Sequence, residues 1–188
     1  MRKKYYSWRD VETICTGLVI DMYKSNYKPD IVVGLTRGGN IPATIISNML
    51  DVQCESLKIK LRDNKPGEEN ETNCRLARQA FGYVSETEQV VLKTRWDISQ
   101  RKNILIVDDI NDSGATFNYL KHQWQQCCYP EESSWGTVWE HNVRFAVLTE
   151  NLSSNFQHVS YHGDEVNKME DDVWLCYPWE NVGRYGNV

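Results

Sequence analysis

The chain has no run of about 18 apolar residues, so no membrane span is expected. Its opening stretch, Met1 to Trp8, lacks the apolar core of a signal peptide, and a cytoplasmic location is the expectation. A basic surplus is missing too. Lys and Arg number 21 against 26 Asp and Glu, for a net charge of -5, which argues against nucleic acid as the partner. The six cysteines form no Cys-x-x-Cys pair, and the four histidines show no metal-ligand spacing. Without a secretory leader, all six thiols are expected to be reduced and structural. Internal repeats are absent, and so is a Gly-x-x-x-x-Gly-Lys-Ser/Thr loop.

What is present fits one compact α/β domain over residues 1–188, with 40% hydrophobic and 25% charged residues. Ser7 is placed to cap a helix over Trp8 to Lys24, because Val11, Cys15, Leu18 and Met22 recur at helical spacing. Ile31 to Leu35 reads as a short buried strand. The glycine-bearing turn Thr36-Arg37-Gly38-Gly39-Asn40 follows it, and then a helix over Ile41 to Leu50. Glu55 to Leu61 is a further expected strand. From about residue 62 to 95 the composition turns polar and aperiodic, which predicts a mobile loop or arm containing only a short strand at Val90 to Lys93. Asn103 to Val107 is apolar without alternation, as in a parallel sheet buried on both faces. A polar turn over Asp108 to Gly114 and a helix over Ala115 to Gln126 come next. After a polar, Trp-bearing linker to His141, Arg144 to Leu148 gives another buried strand, and Val173 to Trp179 a last one. Helices alternating with apolar strands imply a three-layer sandwich around a mostly parallel sheet.

The chemistry concentrates in Ile104-Leu105-Ile106-Val107-Asp108-Asp109-Ile110-Asn111-Asp112-Ser113-Gly114-Ala115-Thr116. A buried strand brings two carboxylates to its carboxyl end, where open α/β sheets bind ligands. A small turn then opens a helix whose first N–H groups, with the Ser113 and Thr116 hydroxyls, form an anion cradle. Carboxylates for sugar hydroxyls beside a cradle for one phosphate suit a sugar phosphate.

This segment resembles the signature that binds 5-phosphoribosyl 1-pyrophosphate (PRPP) in type I phosphoribosyltransferases. Val33 to Gly39 is similar to the same family's pyrophosphate loop. The tail, Tyr161 to Val166 with Trp174 to Glu180, resembles the hood of the xanthine, guanine and hypoxanthine enzymes. The resemblance implies the type I fold, with a small hood contributed by residues 150–188. It implies that Thr36, Arg37, Gly38, Asp108, Asp109, Asp112, Ser113, Gly114, Ala115 and Thr116 bind PRPP, and that the Thr36–Arg37 peptide is cis or strained. It also implies stacking of the base on Trp174 with the Leu175 backbone at its edge, and catalysis by Asp112 and Arg37. Magnesium is the implied cofactor, met by Asp109 largely through PRPP and water, and a homo-oligomeric dimer or tetramer is expected. The implied activity is purine salvage: PRPP and a purine base give a nucleoside monophosphate and pyrophosphate. The alternative is a PRPP-sensing regulator without base turnover.

One departure leaves the base open. The family's 6-oxopurine enzymes carry a lysine just after the strand matching Phe145 to Leu148, and this chain has Thr149-Glu150-Asn151 there. Either Lys168 reaches in, or the base differs. The long polar loop near Arg62, Arg75, Arg78 and Tyr83 is expected to be a flap that closes over PRPP.

Overall fold

A computed structural model describes residues 2–61, 69–83, 96–127 and 132–181. The first element is a strand, β1 (Arg2–Tyr5), followed by helix α1 (Trp8–Lys24), β2 (Ile31–Leu35), α2 (Asn40–Leu50) and β3 (Gln53–Leu57). Then come α3 (Cys74–Phe81), β4 (Ile104–Asn111), α4 (Ala115–Cys127), the short α5 (Glu132–Trp135), β5 (Val143–Asn151), β6 (Tyr161–Val166) and β7 (Val173–Cys176).

Five strands form one sheet in the order β3-β2-β4-β5-β6, and every pairing in it is parallel. Residue alternation divides the core into two layers. Val32, Leu105 and Ala146 face α1 and α2, packing on Leu18, Met22 and Ile46. Val33, Ile106 and Phe145 face α3 and α4, packing on Leu76, Phe117 and Trp124. Fully burying each such side chain stabilises the fold by about 1.5–3 kcal/mol. The expected three-layer sandwich is therefore present. α1 begins as expected, with Ser7 Oγ accepting from the Asp10 N–H and Asp10 accepting from the Ser7 N–H.

Several expectations need correction. The two aspartates belong to β4, which runs on to Asn111, so the turn is only three residues long. Residues 74–83 are not part of an arm. α3 buries Leu76, Ala77, Ala80 and Phe81, and Asn73 caps it by accepting from the Leu76 N–H. Cys74 and Cys127 form a disulfide between α3 and α4, against the expectation that every thiol is reduced. The segment read as a polar linker after Cys127 contributes buried Trp135, Val138 and Trp139 to the core. Residues 62–68 and 84–95, which include Arg62 and the expected strand at Val90 to Lys93, lie outside the described residues.

The tail strand is shorter than expected. β7 ends at Cys176, and a 3₁₀ turn over Pro178–Asn181 follows. It does not join the main sheet. It pairs in parallel with β1, so that Lys3 lies opposite Trp174 and Tyr5 opposite Cys176. No helix among the described residues is long and apolar enough to cross a membrane.

Candidate functional site

Two loops meet at the carboxyl ends of β2 and β4, which are neighbours in the sheet. The first, Thr36 to Gly39, leaves β2 and runs into α2; its Thr36–Arg37 peptide is cis, as the resemblance implied. Glycine is required here by close approach. A Cβ on Gly38 would stand 1.8 Å from Asp109 Oδ2, and one on Gly39 would stand 2.3 Å from the Val107 carbonyl oxygen. The loop thus lies directly against the two aspartates of β4.

The second loop, Asp112 to Gly114, joins β4 to α4. Gly114 adopts φ +82°, in the left-handed region, and a Cβ there would stand 2.5 Å from the Phe156 backbone nitrogen. Ser113 Oγ accepts a weak 3.4 Å bond from the Ala115 N–H, and the Ser113 carbonyl accepts from the Asn155 N–H at 3.2 Å. Together the two loops enclose a cavity of about 310 Å³. Thr36, Arg37, Asp108, Asp109 and the whole run from Asp112 to Thr116 line it, and Lys60 stands at its side.

The electrostatics are unusual for adjacent acids. Asp108 Oδ1 accepts from the Asp109 N–H at 2.9 Å. Burial pushes the Asp108 carboxyl well above the ordinary carboxylate range, and the charge of Asp109 adds to the effect. Burial raises Asp109 as well, with Glu180 contributing like charge. Buried acids held this way favour a ligand rich in hydroxyl donors or a cation. The Asp109 carbonyl is fixed in turn by Tyr177, whose hydroxyl donates to it at 3.0 Å.

Asp112 faces a cation. Lys168 Nζ lies 2.9 Å from Asp112 Oδ1, both side chains being mostly covered. Asn151 holds this pair: its Nδ2 donates to the Asp112 carbonyl at 2.8 Å, and its Oδ1 accepts from the Lys168 N–H at 3.1 Å. The fold thus brings Lys168, one of the two alternatives open in the sequence, beside Asp112.

A second hollow, of about 770 Å³, adjoins the first and shares Arg37, Gly38 and Asp109 with it. Trp174 lines this hollow and is 51% exposed, so its ring is free to receive a flat partner. Leu175 is different: its side chain is buried in the α1–α2 core layer. Trp174 and Asp112 line adjoining hollows that share Arg37, Gly38 and Asp109. Arg75 and Arg78, expected on the flap, belong to α3, and Tyr83 follows it. Arg75 pairs with Glu55, and Tyr83 packs against Phe81.

Lys3, Tyr5, Trp179 and Glu180 also line the larger hollow, and sequence reasoning assigned none of them a role. The signal available was the alternation Arg2-Lys3-Lys4-Tyr5-Tyr6, too short and too charged to read as a strand before its partner was known.

Residues 1–176 match the family model of the phosphoribosyl transferase domain. Xanthine phosphoribosyltransferase 1 of Saccharomyces cerevisiae is 22% identical, the match covering 95% of this chain and 90% of the yeast protein. Hypoxanthine-guanine phosphoribosyltransferase of Schizosaccharomyces pombe is 26% identical over 94% of this chain and 88% of its own. Among solved structures, purine phosphoribosyltransferase from Pyrococcus horikoshii shares the fold at a TM-score of 0.60 and 22% identity, covering 95% of this chain and 94% of its own.

Proposed function

This chain belongs to the phosphoribosyl transferase domain family, and on that premise we propose that it moves the 5-phosphoribosyl group of PRPP onto a purine base with an oxo group at C6. The products are a nucleoside monophosphate and pyrophosphate. The observation that carries this reading is the convergence of the Thr36–Gly39 loop and the Asp108–Thr116 segment around one cavity. The names of the yeast relatives agree with it.

In this reading the backbone N–H groups over Ser113 to Thr116 hold the 5′-phosphate at the start of α4. Asp108 and Asp109 accept from the ribose hydroxyls and fix the sugar. Arg37 and the amides of its loop take up charge on the diphosphate as the bond from ribose C1 to that group breaks. A base nitrogen closes on C1, and the proton on N7 of the base passes to the Asp112 carboxylate. Lys168 beside it carries donors and no acceptor, so it matches a carbonyl oxygen at C6 and not an amino group.

Magnesium, a hard cation bound by oxygen, suits the carboxylate of Asp109. No group of three or more His, Cys, Asp or Glu side chains suited to a metal occurs among the described residues, so Asp109 would share the ion with substrate oxygens and water. When bound, the ion neutralises diphosphate charge. The reading also includes a homo-oligomer working in the cytoplasm.

The test is direct. Protein, PRPP and Mg²⁺ are incubated with a panel of bases, and pyrophosphate release is followed. Xanthine, guanine or hypoxanthine should be consumed, adenine and pyrimidines far less. Asp112→Asn should cut kcat by about 10²- to 10⁴-fold while leaving PRPP affinity within a few fold. PRPP binding without turnover of any base would favour the regulator instead.

A further inference from the structure

The N-terminal strand carries three consecutive basic residues, and they are treated differently. Arg2 pairs with Asp171, and Lys4 pairs with Asp164 at 2.7 Å. Both belong to the face of β1 opposite Lys3. Lys3 shares the other face with Tyr5. Its register partner Trp174 projects the same way, and all three line the larger hollow. The Lys3 side chain has no hydrogen-bond or ion-pair partner among the described residues, and neither does that of Arg37, which lines the same hollow.

Charge then decides what the hollow accepts. Its basic and acidic walls among the described residues are Lys3 and Arg37 against Asp109 and Glu180. With Lys3 the two signs balance. Without it the carboxylates outnumber the cations, and a polyanion entering beside Arg37 would meet net repulsion. A neutral base stacked on Trp174 would not need that balance. A diphosphate would.

We propose that Lys3 is a second cationic contact for the diphosphate end of PRPP and for product pyrophosphate, acting across the hollow from Arg37. This rests on the phosphoribosyl-transfer reading above. It makes β1 part of the substrate site and gives the two-stranded β1–β7 ladder two tasks, with Trp174 on one strand for the base and Lys3 on the other for the leaving group.

The experiment compares wild type with Lys3→Met, Lys3→Arg and Arg2→Met. Pyrophosphate binding with Mg²⁺ is measured by calorimetry, and KM is measured separately for PRPP and for the base. Lys3→Met should weaken pyrophosphate binding and raise the KM for PRPP by about five- to tenfold. The KM for the base should stay within twofold. Lys3→Arg should restore most of the loss, and Arg2→Met, with the same charge change on the opposite face, should show none of it. The loss should shrink as ionic strength rises. If wild type binds pyrophosphate and Lys3→Met binds it within twofold as well, the Lys3 assignment is wrong and the transfer reading survives. A rise in base KM with PRPP unaffected also overturns it. If wild type binds neither PRPP nor pyrophosphate, the transfer reading itself fails and takes this proposal with it. Melting curves for each variant separate lost contact from lost fold, and Lys3→Arg keeps the test valid should Lys3→Met unfold.

Discussion

Glu150 is buried at 7% exposure beside Asn111, whose Nδ2 donates to its Oε1 at 2.8 Å, while Oε2 finds no partner among the described residues. Burial raises its carboxyl above the ordinary value, and the Asn111 bond offsets only part of this. A raised carboxyl binds its proton more tightly in the folded state than in the unfolded one. Stability is therefore undiminished below the ordinary carboxylate pKa and falls as pH climbs from there through the raised value. Glu150→Gln should remove that loss. Urea unfolding at pH 7.5 should show the variant more stable by on the order of 1 kcal/mol, the gap closing as pH falls toward about 4.5. A gap that widens on acidification would refute the account. Lys168 gives a prediction of another kind. Lys168→Met should raise the KM for a 6-oxopurine about tenfold and leave the KM for PRPP within twofold, as steady-state kinetics would show. At this scale the site was legible where its residues are contiguous. Asp108 to Thr116 could be read because one strand–turn–helix supplies them all. Lys168 was legible only as one of two alternatives and Lys3 not at all, since their places depend on where β6, β7 and β1 pair, which no local pattern encodes.

Among the elements, α3 is the one most at odds with its sequence. Leu76, Ala77, Ala80 and Phe81 do recur at helical spacing, but eight residues are too few to stand out from polar surroundings. Tertiary contacts make the helix: Phe81 on its apolar face packs against Trp135 in the core, and the Cys74–Cys127 disulfide ties it to α4. The bridge closes a loop of 53 residues in sequence. Cys74→Ser should therefore lower the unfolding free energy of the oxidised protein by about 2–4 kcal/mol. Digestion without reductant should yield one linked peptide holding Cys74 and Cys127, and reduction should split it. Finding both cysteines alkylatable in the purified protein without reductant would contradict the bridge. The buried strands were the easier elements. Ile31 to Leu35 and Ile104 to Val107 are apolar on both faces because helices cover both faces of the sheet. β1 was hidden for the opposite reason, with four mostly exposed residues, three of them basic, and a partner at Val173.

For the whole molecule, the alternation of helix and strand was enough to predict a layered α/β sandwich, and the strand order was not. Order follows from which crossovers cover which face, a property of the complete chain. The β1–β7 ladder joins segments from near opposite limits of the described residues, and it forms one wall of the larger hollow. That has a consequence in time. On the ribosome β1 emerges first and must wait, unpaired, while every strand of the main sheet is made. A chain stalled before Val173 can already hold all five sheet strands and both loops of the smaller cavity. It still lacks the strand that carries Trp174 and positions Lys3. Such a fragment could grip a sugar phosphate with no Trp174 to stack a base, so the stretch from Trp174 to Glu180 decides when synthesis has produced a complete site.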